Sequence, residues 1–359
     1  MSNSTHTNPT HSQTQTHIQT LGSDNHSPVH PAVFEEFAQV NIGHVIAYGD
    51  DPYTAEAIDI LKKHFGDACD IYFTFNGTGA NVVALSGLLN PWEGVLCARS
   101  AHINCDEAGA PERIGNVKLI PIDTPDGKLS PARLEPYIAD IGNEHAVQPR
   151  VISVSNLSEK GTVYTPDELR FLCEWAHEHG LYVHCDGARL ANAAAALGVS
   201  LTALTADAGI DALSFGGTKN GLMGAEAVVW FGSARPQAGF WIRKQCGQLA
   251  SKSRYVAAQF SALYRKAEWL ECARHANAMA ARLAEGLREH ECELVQTPDG
   301  NEIFCTLPSS IIEPLQKDYF FYVVDEAKGE VRLVCSWDTD PAFIESFLTR
   351  LGELLRIAS

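Results

Sequence analysis

No uninterrupted apolar run in the 359-residue chain approaches the about 20 residues that a membrane-spanning helix needs. The ten cysteines include no Cys-x-x-Cys pair and no His/Cys group at zinc spacing, so the sequence offers neither a disulfide framework nor a metal site. Several, such as Cys185 and Cys335, lie inside apolar stretches where a reduced, buried thiol is the ordinary state, and a cytoplasmic setting is expected. Positive charge is also short: 27 basic residues face 44 acidic ones, and the net charge of -17 repels nucleic acid and anionic membrane surfaces. The first twenty residues have no apolar segment, so neither a secretory signal nor a membrane anchor is expected there, and their lack of arginine counts against a mitochondrial transit peptide. Being rich in Ser, Thr, Asn, Gln and His, residues 1–20 read as a disordered leader, and no function is expected of His6, His11 and His17. There is no internal repeat.

What the chain does contain is one lysine in an unusual setting. Leu213-Ser-Phe-Gly-Gly-Thr-Lys-Asn-Gly-Leu222 places Lys219 in a turn rich in glycine and hydroxyl groups, directly after an apolar strand pattern. Upstream, Leu181-Tyr-Val-His-Cys-Asp-Gly-Ala-Arg189 is a second strand pattern ending on Asp186, followed by an alanine-rich helix over 191–197. Taken singly, Lys219 reads as a solvated lysine and Asp186 as a helix cap. Taken together, one helix and one strand apart, they emerge from the same edge of an α/β sheet, where ligands collect at the carboxyl ends of strands. An amine sheltered from water and a carboxylate able to keep a pyridine nitrogen protonated are what pyridoxal phosphate requires. Lys219 is therefore read as the covalent anchor of that cofactor, with Asp186 on the ring nitrogen and Thr218 as a hydroxyl beside the anchor.

A third stretch supports the pair. Ile71-Tyr-Phe-Thr-Phe75 is a strand, and Asn76-Gly-Thr-Gly-Ala-Asn81 turns it into a helix expected over 82–89. Amides and a hydroxyl at a helix start form an anion site, so Gly77, Thr78 and Gly79 are candidates for the cofactor phosphate. Val82 stands where a dinucleotide-binding motif has its third glycine, which disfavours that alternative.

On these residues the chain resembles the L-threonine aldolase family of the β-eliminating lyases, in its low-specificity threonine/phenylserine branch. His184-Cys-Asp-Gly-Ala-Arg-Leu-Ala-Asn192, the Lys219 stretch and Gly224-Ala-Glu-Ala-Val-Val229 carry the likeness, which runs from about Ser23 to the C-terminus. The resemblance implies an aspartate-aminotransferase-like α/β fold (fold type I): a mostly parallel mixed sheet flanked by helices, with a smaller α/β C-terminal domain. The division implied is 21–266 for the cofactor-binding domain and 267–359 for the small one, where the texture changes to one long helix, short strands and a closing helix. Phe240 to Tyr264 reads as one long helical region with a basic patch.

The resemblance also implies roles. His102, in an Ala-His-x-x-x-x-Glu spacing with Glu107, would lie on the pyridine ring; His145 would stand near the substrate side chain; Ser23, Arg189 and Arg332 would hold the substrate carboxylate. Tyr48 would lie near the site, with a packing role equally open, and Arg254 would reach the phosphate of a neighbouring subunit in a homodimer or homotetramer. Many relatives have a Glu-Asn-Thr-type stretch where this chain has Ser155-Asn156-Leu157-Ser158, so that glutamate's role does not transfer. The implied reaction is aldol cleavage of an L-β-hydroxy-α-amino acid to glycine and an aldehyde, with the proton-accepting base oriented by His102 and His145. Two alternatives remain: another pyridoxal-phosphate enzyme of this fold, such as a β-elimination lyase or an aminotransferase, and a protein that binds the cofactor without catalysis.

Overall fold

The structure is a computed structural model that describes residues 19–358. Its centre is a seven-stranded sheet of β1 (Cys69–Thr74), β2 (Glu93–Ala98), β3 (Lys118–Ile122), β4 (Gln148–Ser155), β5 (Tyr182–Gly187), β6 (Ala212–Gly216) and β7 (Glu226–Phe231), in the spatial order β1-β7-β6-β5-β4-β2-β3. Neighbours from β6 to β3 pair in parallel, whereas β7 runs antiparallel to both β1 and β6. This is the mostly parallel mixed sheet expected. β5, β6 and β7 are buried throughout or nearly so, as strands covered on both faces by helices must be.

The core beneath the site is aromatic. Phe215 of β6 meets Phe65 edge-on at 4.9 Å and Tyr264 at 5.4 Å, and Tyr264 stacks on Trp269 at 5.5 Å. Such pairs add about 0.5–1.5 kcal/mol each beyond their area burial, which stiffens the strand that presents the lysine turn.

A second sheet joins β8 (Glu293–Leu294), β9 (Glu302–Thr306), β10 (Tyr322–Asp325) and β11 (Glu330–Val334), all antiparallel, in the order β10-β11-β9-β8. The helices Glu268–Glu289 and Pro341–Ala358 cover it, and its core, with Leu283, Ile303, Leu333 and Phe347, is distinct from that of the large sheet. The helix Ser309–Gln316 between β9 and β10 was not anticipated.

Three expectations need correction. The helix after β1 begins at Gly77, not at 82. The region 240–264 is two helices, Gly239–Gln245 and Ser253–Tyr264, separated by a loop in which Gly247 takes a left-handed φ of 71°. The leader's limit at 20 also falls late: residues 1–18, with His6, His11 and His17, lie outside the described residues, but the Gln19 side chain donates to the Asp338 carbonyl and accepts from the Asp340 amide, at 3.0 and 2.9 Å. No single described helix is long and apolar enough to cross a membrane.

Candidate active site

Parallel strands deliver their last residues to one edge, and here that edge is polar. Ser155, Asp186 and Ser214 are register neighbours across β4, β5 and β6. Because β7 runs the other way, its first residue, Glu226, reaches the same edge, with Gly216 on one side and Thr74 of β1 on the other. Lys219 stands just beyond β6 on the 3-10 turn Thr218–Asn220, closed by Gly221 at φ 100°. Lys219, Asp186, His102, Gly77, Thr78 and Arg189 all line one cleft of about 390 Å³, within the roughly 300–1,000 Å³ usual for small-molecule sites.

Four of its side chains form a chain of hydrogen bonds. The Asn81 amide nitrogen donates to Asp186 Oδ2 at 2.8 Å and to Glu107 Oε1 at 2.7 Å, and Glu107 Oε1 also accepts from His102 Nδ1 at 2.8 Å. Burial pushes the Asp186 carboxyl upward, but the Asn81 hydrogen bond and the charges of His102 and Lys219 outweigh it and hold the group below the usual carboxylate range. The Glu107 hydrogen bond lifts the His102 imidazole above its ordinary value against the opposing effect of burial. With Nδ1 committed to Glu107, Nε2 is the basic nitrogen of the neutral ring and has no hydrogen-bond partner among the described residues. Asp186 is thus kept ionised.

Behind Asp186, His184 is wholly buried and bridges Ser153 and Ser214 at 2.9 Å each; burial pushes its imidazole down to about 4, so it is neutral. Glu159 reaches back from the loop after β4, accepting from Ser155 Oγ at 2.5 Å and from the His102 amide at 2.9 Å, and burial raises its carboxyl.

The helix Gly77–Ser86 starts at the cleft, capped by Asn76, whose side chain accepts from the Gly79 amide at 2.8 Å. That leaves the Gly77 and Thr78 amides without intrahelical acceptors, available to an anion. Gly79 has a different role from the one expected: its amide is taken by the cap, and a Cβ there would come within 2.3 Å of the Gln248 amide group. Gln248 itself accepts from the Phe75 amide at 3.0 Å, closing the cradle from the loop between the two helices. Thr218 Oγ1 accepts from the Ala225 amide at 3.3 Å and so fastens the lysine turn to the start of β7.

Lys219 makes no hydrogen bond or ion pair among the described residues, although its charge is felt by Asp24, Asp186, His102 and Glu226. The other cation of the cleft is in the opposite condition. Arg189 Nε and a terminal nitrogen bond both oxygens of Asp24 at 2.7 and 2.9 Å, and the other terminal nitrogen lies 3.2 Å from Glu302 Oε2. Its side chain is 11% exposed and the two acids 1% and 2%. Burial pushes the Asp24 carboxyl up, but the charges of Arg189 and Lys219 outweigh it and hold the group low. Asp24 belongs to the N-terminal strap, which is fixed by the Leu21 amide on the Phe320 carbonyl and by the Val334 amide on the Leu21 carbonyl.

Not every expected residue arrives. Ser23 caps the short turn Asp24–His26, its hydroxyl accepting from the Asn25 amide at 3.1 Å, and it is Asn25 that borders the cleft. Arg332, on β11, is outside the cleft lining; it donates to the Gly22 carbonyl at 3.3 Å, lies 5.5 Å from the Tyr322 ring, and has a buried Nε without a partner. His145 is corrected outright. It precedes β4, so it lies at the amino edge of the sheet, a strand length of more than about 20 Å from the carboxyl edge, and its side chain is 86% exposed. Tyr48 and Arg254 also lie outside this cleft: Tyr48 borders a separate cavity with Trp241 and Lys244, and Arg254 donates to the Ile42 and Gly43 carbonyls at 3.3 Å.

The site fits pyridoxal phosphate on its own geometry: an unpaired amine and an ionised buried carboxylate share a cleft with a helix start whose first two amides are free. The chain belongs to the β-eliminating lyase family, whose model matches residues 20–309, and pyridoxal phosphate is the cofactor of that family. Within it, the chain is 40% identical over 342 residues to the low specificity L-threonine aldolase of Pseudomonas aeruginosa, covering 95% of this chain and 97% of that protein. It is 38% identical over 326 residues to the low specificity L-threonine aldolase of Pseudomonas sp. strain NCIMB 10558, covering 90% and 94%. The solved structure of a threonine aldolase from Leishmania major superposes with a TM-score of 0.89 at 31% identity, covering 93% of this chain and 99% of that one.

Proposed function

We propose that the protein is a pyridoxal-phosphate-dependent lyase that cleaves L-threonine and related L-β-hydroxy-α-amino acids, allo-threonine and phenylserine among them, to glycine and an aldehyde. The observation that carries the reading is the meeting in one cleft of an uncommitted amine, Lys219, on the turn after β6, and an ionised buried carboxylate, Asp186, on the adjacent strand β5. When bound, the cofactor supplies an electron-poor ring that accepts the electrons of the broken Cα–Cβ bond.

The protein's own residues do the rest. Lys219 would hold the cofactor covalently, and Asp186 would keep a proton on the ring nitrogen. Gly77, Thr78 and Thr218 bind the phosphate, with Gly79 providing the clearance for Gln248. Arg189, held in orientation by Asp24 and Glu302, directs its remaining N–H groups to the substrate carboxylate, assisted by Arg332 and by the strap that carries Ser23. His102 takes the β-hydroxyl proton at Nε2 while Glu107 balances the charge at Nδ1.

Residues 21–266 then form the cofactor domain and 267–359 the small domain, in a cytoplasmic homodimer or homotetramer in which Tyr48 and Arg254 serve a neighbouring cleft. Incubation of the purified protein with L-threonine tests the reaction: glycine and acetaldehyde in equal amounts are expected without added keto acid. A requirement for a keto acid, or release of ammonia in place of glycine, would move the protein to the aminotransferase or elimination reading, and no turnover of any β-hydroxy-amino acid would leave a cofactor-binding protein.

A further inference from the structure

Two acids of the cleft, Glu159 and Glu226, have no part in that scheme, and Glu226 is the one that touches the lysine turn. Glu226 opens β7, whose remaining residues, Ala-Val-Val-Trp-Phe231, are apolar and buried, so the carboxyl is an anomaly that the strand must accommodate. It is 6% exposed and borders the cleft. Its Oε2 accepts from the Gly217 amide at 2.8 Å, and Thr218 bonds the same carboxyl. Gly217 and Thr218 are the two residues before Lys219. Across the sheet, Thr74 is the register partner of Glu226, and its buried hydroxyl has no hydrogen-bond partner.

We propose that Glu226 is a positioning residue that tunes the nitrogen joining Lys219 to the cofactor, anchoring the Gly217–Thr218 turn through its carboxyl and placing or withdrawing a negative charge beside that nitrogen by its own ionisation. This rests on Lys219 being the cofactor-linking lysine. Burial pushes the Glu226 carboxyl up to about 7, against hydrogen bonds from Thr218 and Gly217 and the charge of Lys219. Two titratable groups share its field: Lys219, from the turn after β6, and Tyr264, from the helix Ser253–Tyr264, whose phenol is raised by burial and further by Glu226. β1 contributes the neutral Thr74, and β6 places Gly216, which has no side chain, opposite Glu226. Below neutrality Glu226 holds its proton and the lysine nitrogen sees no charge from it. Above neutrality the carboxylate favours the protonated nitrogen, so that nitrogen keeps its proton to higher pH than it otherwise would.

Glu226→Gln tests this, because the amide keeps an oxygen acceptor for the Gly217 N–H while it removes the charge and turns the other oxygen into a donor. The measurement is a pH titration of the visible absorbance of the lysine-linked cofactor, with cofactor content determined alongside. The expected result is a midpoint lower by about one pH unit or more than in the unmodified protein, at equal cofactor content. An unchanged midpoint would overturn the proposal, since an anchor without an electrostatic role leaves it where it was. Persistence of the same absorbance in Lys219→Ala would instead refute the assignment of the lysine, so the two failures are distinct. If Glu226→Gln does not fold or hold cofactor, infrared spectroscopy of Glu159→Gln, which lacks the other cleft acid raised by burial, decides: a buried carboxylic-acid band that disappears with a midpoint near 7 supports the proposal, and its absence overturns it.

Discussion

The large sheet and the strap that joins it to the small sheet both bring acids and cations to the cleft, and they treat them oppositely. At the lysine turn the cation, Lys219, is unpaired and its neighbour Glu226 has a carboxyl whose proton is held up to about 7 by burial. At the strap the cation, Arg189, lies between two buried acids, and Asp24 is held ionised. The contrast separates two tasks. A group that must change its bonding partner and its protonation is left free next to an adjustable charge, whereas a group that must only point in a fixed direction is held by fixed acid partners that leave its other N–H groups for substrate. Arginine suits the second task because its guanidinium stays charged and its planar fork matches a carboxylate at two points.

The sharpest test of that division is Lys219→Ala. It should abolish the lysine-linked cofactor absorbance and lower kcat/KM at least about 10⁴-fold, corresponding to about 5.5 kcal/mol. Because Lys219 has no partner among the described residues, the thermal unfolding temperature of the cofactor-free variant should match that of the cofactor-free unmodified protein. A large loss of stability would show that the lysine is structural after all.

Arg189→Ala should behave in the reverse manner. Removing the guanidinium leaves Asp24 and Glu302 buried without compensation, and breaking such a buried pair costs about 3–5 kcal/mol. The loss should appear in chemical denaturation of the cofactor-free protein, and Arg189→Lys should recover only part of it, since a point charge cannot reproduce the two-point contact with Asp24. Unchanged stability would erase the contrast between the two regions.

How far this was legible in the sequence follows the same line. Lys219 and Asp186 could be found because each signal is local: an apolar strand, then a polar group at its end, then glycine or alanine. The partners of Arg189 could not, because Asp24, Arg189 and Glu302 are brought together only by the tertiary fold. Glu226 was passed over within a family motif, although a single acid in an otherwise apolar strand is itself a sign that something must hold it. Asn81, on the buried face of a helix whose start was placed too late, is a similar case. For His145 the information was present and its direction was missed: a residue preceding a parallel strand belongs to the edge opposite the ligand.

The pH dependence of stability should divide between the two regions as well. The Glu226 carboxyl goes from an ordinary 4.5 to about 7 on folding, so the native state binds the extra proton and stability falls as pH rises across that window. The Asp24 carboxyl is lowered from 3.8, so it contributes stability above that value that is lost on further acidification through its folded pKa. Denaturation of Glu226→Gln between pH 5 and 8 should therefore lack a decline on the order of 2 kcal/mol that the unmodified protein shows. Identical slopes would mean that Glu226 is ionised throughout.

The smallest effect expected is that of Arg332→Ala, which also refines the comparison, because Arg332 sits at the strap without the buried acid partners that Arg189 has. It has a backbone carbonyl and an aromatic ring for partners, and no acid among the described residues. A guanidinium in that state is available to a substrate carboxylate, and its removal strands no buried charge. The variant should raise KM for threonine about tenfold, about 1.4 kcal/mol, with kcat and denaturation little changed. A fall in stability like that of Arg189→Ala would make Arg332 a second clamp on the strap, whereas an unchanged KM would leave Arg189 to bind the carboxylate without it.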